Sequence, residues 1–162
     1  MKKSFKNIFN LYKQNIVVTG GAGFLGSEFS LAVANAGAVP IILDINSKSL
    51  NKLQQKFKKN KKRGVFILVD LNNENKVATT INLIIKKYKK IDSLINATGL
   101  TGENMLKENK NFFEEFEKYD FRLWKKSLNA NLSSIFIATQ AVAKHMLKRK
   151  KGTIINIASD VG

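Results

Sequence analysis

The sequence predicts an α/β fold built on a doubly wound parallel sheet, and three observations support this prediction. Short apolar runs with strand character alternate with helical patterns along the chain. Closely spaced glycines join the first strand to the first helix, and polar side chains follow the strand ends. Strands that alternate with helices in this way form parallel sheets, which bind ligands beyond the carboxyl ends of their strands.

The predicted elements follow one another in a regular order. Residues 15–19 form the first strand, and the apolar spacing after residue 24 predicts the first helix. The other predicted strands are residues 39–43, 65–69, 93–97 and 153–158, and the other helices are residues 47–59, 74–88 and 121–149, with Ser47 as the N-cap of the helix at 47–59. A chain of 162 residues that is 44% hydrophobic is suited to a single domain with a buried core.

The glycines after the first strand predict a cofactor loop. Gly20, Gly23 and Gly26 are spaced three apart where the strand pattern gives way to the helix, with Leu25 among them. Glycine lets the backbone approach a phosphate without an intervening Cβ, and the free N–H groups at a helix N-terminus attract negative charge. We therefore predict that these four residues bind the pyrophosphate of a dinucleotide, with an ordinary glycine-rich turn as the alternative.

The second strand ends in Asp44, 18 residues after Gly26. A carboxylate at this place accepts hydrogen bonds from the adenosine ribose and repels a 2′-phosphate, which favours NAD over NADP as the cofactor. Ser47 as the helix cap would leave Asp44 free for this contact. Two alternatives stay open, because Asp44 could simply open the loop and Lys48 could serve the phosphate of NADP.

Polar residues follow the other predicted strands as well. Asp70, Asn96 and Ser159 join Gly20 and Asp44 at the strand ends, which a parallel sheet brings to one edge. Asp70 with Leu71 would place a carboxylate and a backbone amide beside adenine. A plain loop cap is the alternative for Asp70.

Composition excludes several other kinds of chemistry. The chain has no cysteine, so disulfides, a thiolate nucleophile and a cysteine zinc site are excluded. Its one histidine, His145, falls in a helix near a basic end, where a structural role is expected, and no metal site is predicted.

The net charge of +16 raises the question of nucleic-acid binding. Lysines provide 25 of the 28 basic residues and are scattered along the chain, whereas direct base readout relies on arginine. We therefore expect a solvated basic surface with nonspecific attraction to polyanions, and no specific nucleic-acid partner. The chain contains neither a signal-peptide core nor an apolar run of about 18 residues, so we expect a cytoplasmic protein without a membrane partner.

The chain resembles the short-chain dehydrogenase/reductase family over residues 9–162. The matching residues are Val17, Val18, Thr19 and Gly20, the pair Asp70 and Leu71, the run Asn96, Ala97, Thr98 and Gly99, the single Asn131, and the run Ile155, Asn156, Ile157, Ala158 and Ser159. The resemblance implies a Rossmann fold and an oxidoreductase that transfers hydride between a nicotinamide cofactor and a small-molecule alcohol or carbonyl substrate, sugars included. It also implies a homo-oligomer in the full-length form.

The resemblance implies roles for individual residues. Asp70 and Leu71 would contact adenine, while Asn96 and Gly99 would support the central strand and the cofactor ribose. Asn131 would support a proton-relay water, and Ser159 would be the catalytic serine that binds the substrate oxygen.

The chain departs from the family pattern in two respects. The glycine spacing is similar to the extended branch of the family, whereas the Asn96–Gly99 motif and Asn131 are similar to the classical branch. Because two later motifs outweigh one loop, the resemblance favours the classical branch. The family's catalytic tyrosine and lysine, one helical turn apart, lie beyond the position of Ser159, and the printed chain ends at Gly162. None of the three tyrosines of the chain replaces that tyrosine: Tyr12 precedes the first strand, Tyr88 ends the third predicted helix, and Tyr119 has no lysine four residues further on.

The second departure sets the expected organisation of the chain. We expect residues 1–162 to be a single NAD(P)-binding domain that is incomplete at its C-terminus, namely the N-terminal five strands of a larger domain, and inactive alone. The last strand would be an open edge, and the long helix would expose an apolar face formed by Leu128, Leu132, Phe136, Ala143 and Leu147. The alternatives are a noncatalytic dinucleotide-binding module completed by a partner and a basic protein that binds a polyanion.

Overall fold

The computed structural model describes residues 10–100 and 114–158, and these residues form one five-stranded parallel sheet flanked by helices. The strands are β1 (Asn15–Thr19), β2 (Val39–Asp44), β3 (Val65–Leu68), β4 (Ser93–Asn96) and β5 (Thr153–Asn156), in the order β3-β2-β1-β4-β5. The helices are α1 (Phe24–Asn35), α2 (Ser47–Lys59), α3 (Glu74–Tyr88), α4 (Phe121–Leu128) and α5 (Ser134–Arg149), with a 3₁₀ turn at Phe116–Lys118 and a π-helical segment at Asn129–Ser133. The predicted doubly wound α/β fold is confirmed.

Strands β3, β4 and β5 end one or two residues before their predicted ends, because each ends where its pairing with the neighbouring strand ends. Strand β1 ends at Thr19, which pairs with Asn96 of β4, and Asn96 pairs in turn with Asn156 of β5. On the other side, Asp44 of β2 pairs with Leu68 of β3. Each strand thus stops where its neighbour stops, which aligns the carboxyl ends at one edge of the sheet.

The predicted N-cap of α2 is wrong by one residue. The cap is Asn46, whose Oδ1 accepts a hydrogen bond from the N–H of Ser49 at 3.0 Å, and Ser47 is the first residue inside the helix. Asn46 has extended backbone angles (φ −96°, ψ 102°), which the capping position requires. Asn73 caps α3 in the same way through the N–H of Lys76.

The helix predicted over residues 121–149 contains an irregularity. The π-helical segment Asn129–Ser133 separates α4 from α5 without breaking the chain of helical residues. A π segment inserts an extra residue into one turn, and such insertions occur frequently at functional sites.

The hydrophobic core covers both faces of the central strands. Val17, Ile41, Ile42, Leu43 and Leu94 are completely buried, which explains why β1 and β2 are continuous apolar runs. Helices α3 and α5 cover one face with Val77, Ile81, Ile84, Val142 and Met146, and α1 and α2 cover the other with Leu31, Leu50, Leu53 and Phe57. No helix in the described ranges is long and apolar enough to cross a membrane.

The apolar face predicted for the long helix is largely exposed. Leu128, Leu132, Phe136 and Leu147 are between 37% and 75% exposed, whereas Ala143 is half-buried. Strand β5 lies at the end of the sheet and pairs only with β4 among the described residues.

Several basic side chains lie at the C-terminal ends of helices. The last turns of α2, α3 and α5 carry Lys56, Lys58, Lys59, Lys86, Lys87, Lys148 and Arg149. Positive side chains there interact favourably with the helix dipole. Because the helices run antiparallel to the strands they connect, these charges lie at the opposite edge of the sheet from the strand carboxyl ends.

At that opposite edge, the carboxylate of Asp92 joins the loop between α3 and β4 to β1 and to α5. Asp92 Oδ2 accepts a hydrogen bond from the N–H of Asn15 and pairs with Lys90 Nζ, both at 3.0 Å, while Asp92 Oδ1 lies 3.3 Å from Arg149 Nη2. Arg149 also donates to the carbonyl oxygen of Ile91 at 2.8 Å. Partial burial of Asp92 acts to raise its pKa, but the hydrogen bond from Asn15 and the two cations outweigh burial and leave the pKa below its ordinary value.

We expect the Asp92→Asn substitution to lower the free energy of unfolding at neutral pH by about 1 to 2 kcal/mol, because hydrogen bonds to a charged group are lost. The folded-state pKa of Asp92 lies below the unfolded value of 3.8, so its stabilising contribution is present above pH 3.8 and is lost as the pH falls through the folded-state pKa. Urea titrations at neutral pH and below pH 3.8 should therefore show a smaller loss of stability in the variant than in the wild type. Asp70→Asn controls for the change of formal charge, and equal acid sensitivity of wild type and Asp92→Asn would contradict the prediction.

Candidate dinucleotide site

Four of the strand-end residues predicted from the sequence lie at one edge of the sheet. Gly20 follows β1 directly, Asp44 and Asn96 are the last residues of β2 and β4, and Asp70 follows β3. The chain runs outward from β1 to β3 and then returns to place β4 on the other side of β1. This reversal of strand order opens a crevice between β1 and β4, where ligands of such sheets bind. Ser159 lies outside the described residues.

At the opening of this crevice, the backbone of the glycine loop packs closely on the segment after β4 and on the first turn of α1. Gly20 has a φ of +58°, and a Cβ at that position would lie 2.8 Å from the Cα of Thr98. A Cβ at Gly26 would lie 2.1 Å from the carbonyl oxygen of Gly20. Only glycine allows the first turn of α1 to pack so closely on the loop.

No side chain caps the N–H groups at the N-terminus of α1. The N-cap of the helix is Gly23, and its first turn contains no acidic residue. Leu25, in this first turn, is about half exposed. A helix start of this kind offers N–H donors and the positive end of the helix dipole to an anion. The close-packed glycines and the open helix start fit the pyrophosphate of a dinucleotide.

Three hydrogen bonds fix the loop to its surroundings. The N–H of Gly21 donates to the carbonyl oxygen of Leu43 at 3.2 Å, and the N–H of Ala22 donates to Asp44 Oδ2 at 3.0 Å. The buried hydroxyl of Ser30 donates to the carbonyl oxygen of Gly21 at 3.1 Å. Sequence analysis missed Ser30, although a polar residue on the buried side of α1 was the available signal.

Asp44 is not free, contrary to the sequence-based expectation. It is only 8% exposed, and its Oδ1 accepts a second hydrogen bond, from the N–H of Asn46 at 2.9 Å. The reason is that the N–H groups of Ala22 and Asn46 need acceptors where the strands give way to loops. Each carboxylate oxygen retains a further lone pair with which to accept another hydrogen bond.

Asp70 and Leu71 form the turn that leads into α3. Asp70 Oδ1 accepts a hydrogen bond from the N–H of Asn72 at 2.9 Å, so its carboxylate caps the loop, which was the alternative interpretation from sequence. The Leu71 side chain is buried in the core beside Val77. Only its backbone is therefore left to reach a ligand.

Asn96 is the centre of a buried hydrogen-bond network. Its Oδ1 accepts from the hydroxyl of Thr19 at 3.1 Å, and its Nδ2 donates to Thr139 Oγ1 at 3.0 Å and to Asn156 Oδ1 at 2.8 Å. One fully buried side chain thus joins β1, β4, β5 and α5. Sequence analysis assigned no function to Thr19 or Thr139.

Asn131 lies in the π-helical segment and holds the segment that follows β4. Its Oδ1 accepts from the N–H of Leu100 at 2.7 Å, and its Nδ2 donates to the carbonyl oxygen of Leu100 at 3.2 Å and to Ser127 Oγ at 3.3 Å. A Cβ at Gly99 would lie 3.3 Å from Asn131 Oδ1. Asn131 and Gly99 are therefore neighbours, next to the crevice between β1 and β4.

Comparison with known proteins identifies this architecture. The family model for short chain dehydrogenases matches residues 14–162. The chain belongs to the short-chain dehydrogenase/reductase family. Members of this family are oxidoreductases with a Rossmann fold that bind NAD or NADP, in agreement with the glycine loop and the sheet described above.

Curated relatives match nearly the whole chain. The 3-oxoacyl-(acyl-carrier-protein) reductase FabG of Buchnera aphidicola subsp. Baizongia pistaciae is 30% identical over 147 residues, which cover 91% of this chain and 55% of the relative. Gluconate 5-dehydrogenase of Gluconobacter oxydans is 28% identical over 156 residues, which cover 96% of this chain and 57% of the relative. The chain therefore spans about half the length of the curated relatives it matches.

Solved structures show the same fold. A gluconate 5-dehydrogenase from Burkholderia cenocepacia J2315, in complex with NADP and tartrate, has a TM-score of 0.78 and 25% identity, with coverage of 95% of this chain and 56% of that chain. An NAD⁺-bound xylitol dehydrogenase has a TM-score of 0.78 and 24% identity, with coverage of 91% of this chain and 54% of that chain.

Proposed function

We propose that the chain is the cofactor-binding part of an NAD-dependent oxidoreductase that acts on a small-molecule alcohol or carbonyl, sugars included. The observation that carries the proposal is the contact of Gly26 with Gly20, which packs the open start of α1 on the loop beside the crevice. An ordinary glycine-rich turn needs neither this close contact nor an uncapped helix start.

The proposed contacts follow from the position of each residue. The pyrophosphate would lie on the backbone of Gly20, Gly23, Leu25 and Gly26, where donors and dipole favour an anion. Asp44 would accept hydrogen bonds from the adenosine ribose through its remaining lone pairs. The Asp70 carboxylate and the Leu71 backbone amide would lie beside adenine, and Asn96 and Gly99 would support the cofactor ribose from β4.

Bound nicotinamide supplies or accepts the hydride in this chemistry. We propose that Ser159 binds the substrate oxygen by a hydrogen bond. Asn131 would act by fixing the segment at Leu100 and by supporting a proton-relay water. Proteins of the family that this chain resembles catalyse proton transfer with a tyrosine and a lysine one helical turn apart. None of the three tyrosines in this chain has a lysine at that spacing, so we propose that the 162-residue chain binds the dinucleotide without turning over substrate. We propose that the protein is a cytoplasmic homo-oligomer.

The preference for NAD is testable at Asp44. In Asp44→Asn, the negative charge is removed and one oxygen remains to accept from the N–H of Ala22, while the N–H of Asn46 loses its acceptor. The unfolding transition of the variant is therefore measured beside its affinities. We expect the ratio of the Kd for NADP to the Kd for NAD to fall by about tenfold or more, because repulsion between the carboxylate and a nearby phosphate is worth at least about 1.4 kcal/mol in a partly screened site. Calorimetric titration of both cofactors measures this ratio.

The matched control is Glu74→Gln, which removes the same charge from the exposed first turn of α3 and should leave the ratio unchanged. A wild-type chain that binds neither cofactor would refute the proposed function. Unchanged preference in Asp44→Asn would instead refute only the role of Asp44 in choosing NAD.

A further inference from the structure

The hydroxyl of Thr98 is buried and has no hydrogen-bond partner among the described residues. A buried hydroxyl that loses its hydrogen bonds to water destabilises the folded chain unless another group replaces them. Such unsatisfied groups are rare in folded proteins, and each calls for a specific explanation.

Thr98 lies against the first glycine of the loop. A Cβ built on Gly20 would lie 2.8 Å from the Cα of Thr98 and 2.9 Å from its backbone nitrogen. Thr98 follows β4, and Gly20 follows β1, so the two residues meet where the crevice between these strands opens. The unsatisfied hydroxyl therefore belongs to a residue in contact with the proposed pyrophosphate loop.

The buried polar side chains of Thr19 and Asn96, at the ends of the same two strands, have hydrogen-bond partners. The Thr19 hydroxyl donates to Asn96, and the Asn96 amide donates to Thr139 and Asn156. Within the part of the chain that is described, nothing in this network uses the Thr98 hydroxyl. Valine has the shape of threonine without the hydroxyl, so packing alone does not require threonine here.

We propose that the Thr98 hydroxyl is a ligand of the ADP-ribose portion of the dinucleotide, to which it donates a hydrogen bond at a pyrophosphate or ribose oxygen. This inference rests on the proposed function. The short side chain of threonine limits its reach to groups beside Gly20, which assigns the contact to ADP-ribose and not to nicotinamide. Ligand binding then satisfies a donor that the fold leaves unpaired.

The test compares Thr98→Val and Thr98→Ser in the full native polypeptide, with ADP-ribose as the probe. We expect Thr98→Val to raise the Kd of ADP-ribose about fivefold to tenfold, and Thr98→Ser to stay within about twofold, since one hydrogen bond is lost or kept. The Tm of the ligand-free protein should be unchanged or higher in Thr98→Val. In contrast, Thr139→Val should lower that Tm, because it removes the acceptor of an Asn96 hydrogen bond.

The outcomes separate this inference from the proposed function. Failure of the wild type to bind ADP-ribose refutes the proposed function itself. If the wild type binds but Thr98→Val binds equally well, the Thr98 hydroxyl is not a ligand. A lower ligand-free Tm in Thr98→Val, similar to that of Thr139→Val, would show that the hydroxyl has a partner within the chain and would also overturn the inference.

Discussion

The Gly26→Ala substitution is expected to weaken dinucleotide binding by at least about 100-fold, which corresponds to about 2.7 kcal/mol. The new Cβ would lie 2.1 Å from the carbonyl oxygen of Gly20 and 2.8 Å from the Cα of Gly21, and neither backbone atom belongs to a flexible side chain. The first turn of α1 must therefore move away from the loop. This movement separates the N–H donors of the helix from those of the loop, which a pyrophosphate needs together. Calorimetric titration with NAD and with ADP-ribose measures the loss.

A matched control distinguishes a change in the geometry of the glycine loop from a loss of stability of helix α1. Ala32 lies on the exposed side of α1, and Ala32→Gly should destabilise the helix by about 1 kcal/mol without altering the loop. We expect Ala32→Gly to retain wild-type affinity below its melting temperature. If Gly26→Ala binds NAD as tightly as the wild type, the glycine loop is not the pyrophosphate site. Equal loss of binding in both variants would attribute the effect to helix stability.

The residues proposed to bind the cofactor also hold the sheet edge together. Asp44 accepts hydrogen bonds from the glycine loop and from the start of α2, and Asn96 joins three strands to α5. Because these side chains also hold the fold together, they occupy fixed positions before a ligand binds, which lowers the entropic cost of binding. For the same reason, a change of affinity at Asp44 or Asn96 is interpretable only beside a measurement of stability.

The sequence was sufficient to predict features that depend on local pattern. The order of strands and helices follows from apolar periodicity, and the position of Gly20, Gly23 and Gly26 between a strand and a helix defines the loop without knowledge of the rest of the fold. Because parallel strands share one carboxyl edge, the grouping of Asp44, Asp70 and Asn96 could be predicted as well.

Contacts between distant parts of the chain could not be predicted in the same way. Thr19 and Asn96 are 77 residues apart, and Asn131 and Leu100 are 31 residues apart, so their hydrogen bonds depend on how the elements pack. The same holds for Ala22 and Asp44, which is why Asp44 was expected to be free. The choice of Asn46 over Ser47 as the cap depends on backbone angles at adjacent residues with similar capping ability.

The Asn96→Ala substitution is expected to lower the free energy of unfolding by about 2 to 4 kcal/mol. Three hydrogen bonds are lost, and the Thr19 hydroxyl, which donates to Asn96, is left buried without its acceptor. The expected loss is large because Asn96 is completely buried, so water does not replace the missing partners. Urea titration followed by circular dichroism measures it, with an unchanged m-value showing that the folded and unfolded states remain comparable.

Asn82→Ala is the matched control, because it removes the same side chain from an exposed position on α3. Asn82 contacts only His145 Nε2, at 3.2 Å, among the partners that the structure gives for its side chain, so we expect a change within about 0.5 kcal/mol. If Asn96→Ala lowers the free energy of unfolding no more than Asn82→Ala does, the buried network does not hold the strands together. Retained ADP-ribose binding in Asn96→Ala at low temperature would show that Asn96 supports the ribose only through the fold. Loss of binding by a chain that is still folded would instead assign Asn96 a direct role in holding the cofactor.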